Sequence, residues 1–328
     1  MKKAKTTQVS LARLLDLAPL LLLIVFLVVF GLMDSRIVSG ANLLQTLVTA
    51  APIAIMGIGA MIVLISGGID LSAGYGVSLC AVVAGVVLRD SGSLIVSVLA
   101  TLLVGALVGV FNGFFVGKLK LQSFIVTLGS MSVIQGVTLT LVTGGVILVT
   151  DPTLKTIGIK STFGIPNILM IAVVLVVLAS FLIKRTTFGL RTYGIGSSEE
   201  STRMSGVPIV RQQYLIYIFS GVCTALAALM LISRVSIVSP NIGGTTLLMD
   251  AITATVIGGT SIFGGKGSIA GTLVGALIIS LISQAMSTFG VSASSLDFFK
   301  GLIIVLALIL DMVIRESKVV LNKRRLTA

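Results

Sequence analysis

Apolar runs long enough to cross a membrane recur from one end of this sequence to the other, and no other feature restricts its fold so severely. Hydrocarbon offers no water to backbone N–H and C=O groups, so a crossing segment must be a helix or part of a closed barrel. Runs of about 20 residues specify helices. Ten spans can be drawn, at 17–33, 46–66, 72–88, 94–117, 123–143, 166–183, 213–233, 247–263, 268–288 and 298–314. The composition agrees, at 56% hydrophobic and 10% charged with mean hydropathy +1.17, far from that of a soluble domain. The expected fold class is an all-α integral membrane protein of about ten transmembrane helices. It forms a single polytopic domain over residues 1–328, with no soluble domain.

A net charge of +12 resembles a nucleic-acid signature until the basic residues are placed. With an even number of spans both termini share a side. When that side is cytoplasmic, only Arg36, Arg89, Lys155, Lys160, Arg234 and Lys300 of the 23 basic residues fall outside. This asymmetry is the positive-inside pattern and implies no nucleic-acid partner. Lys2, Lys3 and Lys5 ahead of the run at 17–33 imitate a signal peptide. The run exceeds a usual signal core and no small-x-small site follows, so it reads as a retained first helix. Cys80 and Cys223 each stand alone in apolar runs, which suggests neither a disulfide nor a metal site.

One long polar stretch, 184–212, interrupts the apolar blocks on the cytoplasmic side. Within it Ser197 and Glu200 have the spacing of a reciprocal capping box, with Glu199 and Glu200 at the positive end of the helix dipole. Gly206 suits a left-handed terminating residue, and Pro208 cannot continue the helix. Arg203 lies between. A helix of about two turns is marginal alone, so capping this deliberate points to docking on another protein; the plainer alternative is a solvated loop. The external connection, 144–166, carries Asp151-Pro152 and Gly164-Ile165-Pro166 and reads as turns and loop with room for a short surface helix.

Other polar and glycine-rich positions are candidates for a translocation path or gate. Ile65-Ser66-Gly67-Gly68 with Ala73-Gly74 is echoed by Ile262-Phe263-Gly264-Gly265 with Ala270-Gly271. Paired glycine-interrupted apolar segments point to broken helices at a binding site or gate, and chance similarity in a chain with 36 glycines is the competing reading. Asp70 is an acid at membrane depth, a functional candidate by default, or else the cap of a helix starting near Leu71. Asp250 opens the eighth span, where it answers the helix dipole or serves the path. Asn112 and Gln135 must find partners within the bundle or line a wet cavity. Asn241 is an entrance residue or a turn former, and Asp311 with Arg315 forms an i, i+4 pair.

What is missing also narrows the function. Gly264-Gly265-Lys266-Gly267-Ser268 resembles a phosphate loop, but Gly267 occupies the hydroxyl position, so the chain hydrolyses no ATP itself. Without Trp and with 5% aromatics, it offers little on which a sugar ring would stack. A weakly binding passage fed by a separate capture protein fits better. A cation-coupled carrier would need an intramembrane relay, and with no His and few acids beyond Asp70 and Asp250 the supply is poor. A membrane scaffold without transport activity is a third reading.

GGIDLSAG, FNGFFVGKLKLQSFIVTLGSM, RTTFGLRTYGIGSSEESTRMSGV and LMDAITATVIGGTSIFGGKGSIAGTLVGALI occur in that order across roughly residues 45–315. Together they resemble the permease subunits of bacterial ribose-type ATP-binding cassette (ABC) importers in the cytoplasmic membrane. The resemblance implies a second permease chain, identical or related, and a cytoplasmic ATP-binding cassette protein that carries ATP and Mg, with no cofactor on this chain. It also implies an external sugar-binding protein and a surround of membrane lipid. The coupling segment it implies is Ser197 to Gly206, including Glu199, Glu200 and Arg203. Two departures stand out: Gly196-Ser197-Ser198 where the family often has Gly-Gly-Asn, and Phe263 before the second glycine pair. Branched-chain amino-acid permeases share the layout and are the nearest alternative, against which the GGIDLS and GIGSSEESTRMSGV patterns read as sugar-type.

Overall fold

Nine of the ten apolar runs fold as helices in the computed structural model, which describes residues 17–142 and 145–291 together with Ser295, Phe298, Gly301 and Leu302. They are α1 (Ala18–Met33), α2 (Gly40–Ile65), α3 (Ala73–Ser91), α4 (Leu94–Gly113, continued by a π turn over Phe114–Lys118) and α5 (Ser123–Leu141). After a short helix α6 (Pro152–Ile159) come α7 (Asn167–Arg185), two helices of the long polar connection, α8 (Thr187–Ser197) and α9 (Glu199–Met204), then α10 (Ile209–Arg234), α11 (Gly244–Ile257) and α12 (Ile269–Thr288). Among the described residues seven of these are long and apolar enough to cross a membrane, while α1 and α11 are shorter apolar helices. Apart from Phe298, Gly301 and Leu302, the tenth run, 298–314, lies outside the described residues, as do Asp311 and Arg315. The expectation of purely helical structure needs one correction. Two-residue ladders pair Ile147–Leu148 (β1) with Ile237–Val238 (β4), and Ser161–Thr162 (β2) with Ile165–Pro166 (β3). Each gives backbone partners to a loop that a helix cannot serve.

Burial sorts the helices into a centre and a rim. The most apolar window of α2 is 94% buried and that of α10 61%, whereas α4, α5 and α7 each bury only 22% and turn the rest outward. Apolar side chains gain nothing from leaving lipid for protein, so close packing rather than hydrophobicity has to hold such helices together. The means are visible on α4. Ser97, Thr101, Gly105, Gly109, Gly113 and Gly117 recur every fourth residue and are all buried. A Cβ on Gly105 would strike the Gly221 carbonyl of α10, and one on Gly109 would sit 2.6 Å from the Ile218 Cα. A step of four overshoots a full turn of an α-helix by about 40°. The wider π turn at the end of α4 reverses that drift and returns Gly117 to the stripe.

The connections gather at two ends. At one, the segments 66–72, 118–122, 185–208 and 258–268 touch one another: Gly265 N donates to the Ile65 carbonyl (2.8 Å), Tyr193 Oη to the Gly267 carbonyl (2.7 Å), and Ile69 N to Ser123 Oγ (3.0 Å). At the other, β1 pairs with β4, Lys155 Nζ donates to the Val235 carbonyl (2.6 Å), and Asn167 Nδ2 to the Thr156 carbonyl (3.0 Å). Among the described residues, the segments expected on the cytoplasmic side fall at the first end, and the expected external connection falls at the second.

Candidate coupling and translocation sites

Both helices of the polar stretch are built by local capping. Thr186 Oγ1 accepts from Phe188 N (3.2 Å) and starts α8. Gln212 Nε2, on α10, donates to the Phe188 carbonyl (2.9 Å) and to Thr192 Oγ1 (3.0 Å), fixing α8 against the bundle. Ser198 Oγ accepts from Ser201 N (3.2 Å) and donates to Ser201 Oγ (2.9 Å), so Ser198 caps α9. This corrects the expected box by one residue. Ser197 is the last residue of α8, its hydroxyl donates to the Tyr193 carbonyl (2.9 Å), and Glu200 reaches no backbone donor of the cap. Glu199 and Glu200 do occupy the first turn of α9 and Arg203 its last. Arg203 Nη2 lies 3.7 Å from Glu200 Oε1, an exposed pair of little energetic weight. Gly206 ends the segment at φ +79°, donating its N–H to the Arg203 carbonyl (3.0 Å). No residue of α9 is buried, and Met204, its last residue, stands 82% exposed. Burial of the Tyr193 ring pushes its hydroxyl above the usual tyrosine range, which keeps it a donor to Gly267.

The two glycine echoes meet beside the end of α8. Gly67, Gly264 and Gly265 all have positive φ, at +84°, +88° and +75°. A Cβ on Gly264 would stand 2.8 Å from the Gly196 carbonyl oxygen and 3.2 Å from Gly67 N. Gly68 is buried where a Cβ would meet the Tyr217 hydroxyl at 2.9 Å.

From Gly67 the chain turns back into the bundle. Its polar backbone is satisfied by α5: besides the bond from Ile69 N to Ser123, Thr127 Oγ1 donates to the Ile69 carbonyl (3.1 Å). Irregular backbone at membrane depth requires such partners. Asp70 follows, 7% exposed, and joins several helices. Its Oδ1 accepts from Ser72 N (3.1 Å) and the Ser72 hydroxyl (2.6 Å), and its Oδ2 from the Ser220 hydroxyl on α10 (3.0 Å). Asn112, fully buried on α4, donates to Ser72 Oγ (2.8 Å) and accepts from the Ser130 hydroxyl on α5 (2.6 Å). Ser220 is the twelfth residue of α10, which places this network about 16 Å into the bundle, close to mid-membrane. The helix after Asp70 begins at Ala73 rather than near Leu71, and Asp70 serves its start through Ser72. Asn112 is therefore glue between helices.

At the same depth the starts of α3 and α11 abut, because a Cβ on Gly74 would overlap the Gly244 carbonyl oxygen. Ser78 Oγ, on α3, accepts from Gly243 N (3.0 Å) and Gly244 N (3.4 Å) and so caps α11 from a distance. This cap starts α11 at Gly244, six residues before Asp250. Asp250 is thus buried within the helix and does not open it, contrary to expectation. Gln135 Nε2 donates to Tyr75 Oη (3.1 Å), both half-buried. Asn241 is exposed in the turn before α11, and Thr245 and Thr246, in the first turn of α11, are also exposed.

Sequence reading passed over Ser72, Ser130, Ser220 and Gly196. Thr127, Ser130 and Thr138, three of the four buried residues of α5, recur at helical spacing, which was a usable signal; Gly196 carried none. A cleft of about 270 Å³ between α3, α4 and α5, bordered by Leu107, Phe111 and Val133, is too apolar to hold a sugar.

Residues 42–308 match the family described as branched-chain amino acid transport system / permease component. The chain is 31% identical over 304 residues to the ribose import permease protein RbsC of Escherichia coli (strain K12), covering 92% of this chain and 94% of that one. It is 34% identical over 298 residues to RbsC of Bacillus subtilis (strain 168), covering 90% and 92%. It is also 34% identical over 296 residues to the autoinducer 2 import system permease protein LsrC of Salmonella paratyphi B (strain ATCC BAA-1250 / SPB7), covering 90% and 85%. No solved structure matches the chain.

Proposed function

The chain belongs to the branched-chain amino acid transport system permease family, and from that membership we propose that it forms half of the membrane pathway of an ATP-driven importer for a monosaccharide or similar small polyol. The observation that carries the reading is α9, a short helix with caps at both ends, no buried residue and an acidic first turn, held out from the bundle where a partner reaches it. An isolated helix of six residues is marginal in water, so one capped and held out in this way fits a docking role. That partner is a cytoplasmic ATP-binding cassette protein, which binds ATP and Mg. A second permease chain completes the passage, and an external sugar-binding protein delivers the substrate. The assembly sits in the bacterial cytoplasmic membrane with both termini inside.

The passage runs along the open face of α5. Ser132 and Thr140 are exposed there, and a Cβ on Gly129 or Gly136 would meet nothing within 4 Å. Tyr75, Gln135, Thr245 and Thr246 extend that polar lining near mid-membrane. ATP binding draws the two copies of α9 together and opens the passage outward, and hydrolysis resets it.

The family's description favours a second reading, import of a branched-chain amino acid. Both are tested by recovering the complex in mild detergent, with mass spectrometry of its components. Under the sugar reading an ATPase and a sugar-binding protein accompany the wild type, and the ATPase is lost from the Glu199→Ala, Glu200→Ala, Arg203→Ala variant. An amino-acid-binding protein instead would select the second reading. No ATPase even after crosslinking would end both.

A further inference from the structure

The coupling segment and the two glycine-broken membrane segments meet at one residue. Gly196, in the last turn of α8, lies two positions before the Ser198 cap of α9. A Cβ there would overlap the Ile65 carbonyl oxygen, and would stand 2.6 Å from Gly265 N. Those two atoms are themselves hydrogen-bonded to each other at 2.8 Å. The Gly196 carbonyl in turn lies against Gly264. Three chain segments thus touch backbone to backbone, with no side chain between them that could change rotamer and absorb a displacement. A fourth link, the Tyr193 hydroxyl on the Gly267 carbonyl, ties the preceding turn of α8 to the start of α12.

We propose that Gly196 is a positioning residue for transport, the contact through which displacement of α9 is delivered at once to both glycine-broken segments. Packed backbone transmits a shift rather than absorbing it. One arm runs from Ile65 through Gly67 to the Asp70 network at mid-membrane. The other runs from Gly265 and Gly267 to the junction of α11 and α12. The inference rests on the coupling role assigned above to α9.

The test uses the complex with its ATPase in proteoliposomes and reads the passage directly. Ser132→Cys, a near-isosteric change on the open face of α5, is labelled with a water-soluble maleimide, with and without ATP and vanadate. Cys80 and Cys223 are buried, so background labelling is low. In the otherwise wild-type chain the labelling rate is expected to change at least fivefold on nucleotide trapping. Adding Gly196→Ala should reduce that response to less than twofold while the ATPase is recovered undiminished. Should Gly196→Ala fail to assemble, Tyr193→Phe, which removes a single hydroxyl, decides the matter: it should at least halve the response with the ATPase still bound. An undiminished response in either assembled variant overturns the inference, as does loss of the ATPase from Tyr193→Phe. A Ser132→Cys chain that never responds to nucleotide, or a Glu199, Glu200, Arg203 triple variant that retains its ATPase, removes the coupling reading itself and the inference with it.

Discussion

Asp70 shows what a single buried acid does in this protein. Three donors converge on its carboxyl group from the start of α3 and from α10, and its partner Ser72 passes the connection on to Asn112 and Ser130. Hydrogen bonds to such a group are worth about 1.5–3 kcal/mol each, and donors stranded by its removal add their desolvation cost. Asp70→Ala is therefore expected to destabilise the chain by about 3 kcal/mol, read as a lower thermal transition of the detergent-solubilised protein. At α9, adjacent serines made the cap ambiguous in sequence. The α8 helix runs through Ser197, whose hydroxyl donates back to the Tyr193 carbonyl, and the cap falls on Ser198. Ser198→Ala should then cost α9 about 1 kcal/mol, roughly fivefold in affinity for the ATPase, whereas Ser197→Ala should leave binding within twofold. Asp250 was misplaced because the cap of α11 comes from Ser78, 165 residues away from Gly243.

At the scale of elements, hydropathy located every described crossing helix because lipid imposes one simple rule on backbone. Helix partners were less legible, since small residues mark a crossing without naming its mate. The α4 glycines face α10, while Gly129 and Gly136 of α5 face nothing among the described residues. Opposite outcomes are expected. Gly109→Ala should abolish recovery of monodisperse protein, because its Cβ would meet the backbone of Tyr217 and Ile218. Gly136→Ala should fold as well as wild type or better, by up to about 1 kcal/mol from helix propensity. Size-exclusion profiles of the two variants make the comparison. The polar loop at 184–212 read as only one short helix because Gly189, Gly194 and Gly196 disguise α8; its support comes from Gln212 of α10, outside any local pattern.

Across the whole molecule, charge bias and loop contacts agree. Among the described residues, the segments that basic residues assign to the cytoplasm touch one another at one end, and β1 of the external connection pairs with β4 at the other. Phe163, 97% exposed at the tip of the β2–β3 turn, and Ser205, at the end of α9, mark the two ends. A membrane-impermeant maleimide should label Phe163→Cys in intact spheroplasts and Ser205→Cys only in inverted vesicles. Labelling in the reverse sense would invert the assigned orientation.

The Asp70 clasp also sets a timetable for biogenesis. Its two sides are separated by 150 residues of chain. At about 5–20 residues per second, Ser220 is synthesised roughly 8–30 s after Asp70. For that interval Asp70 Oδ2 lacks its Ser220 partner on α10, and hydrocarbon supplies none. The early helices cannot be released into lipid as a finished unit. They have to wait at the insertion site, or beside water, until the later half of the chain arrives to close them.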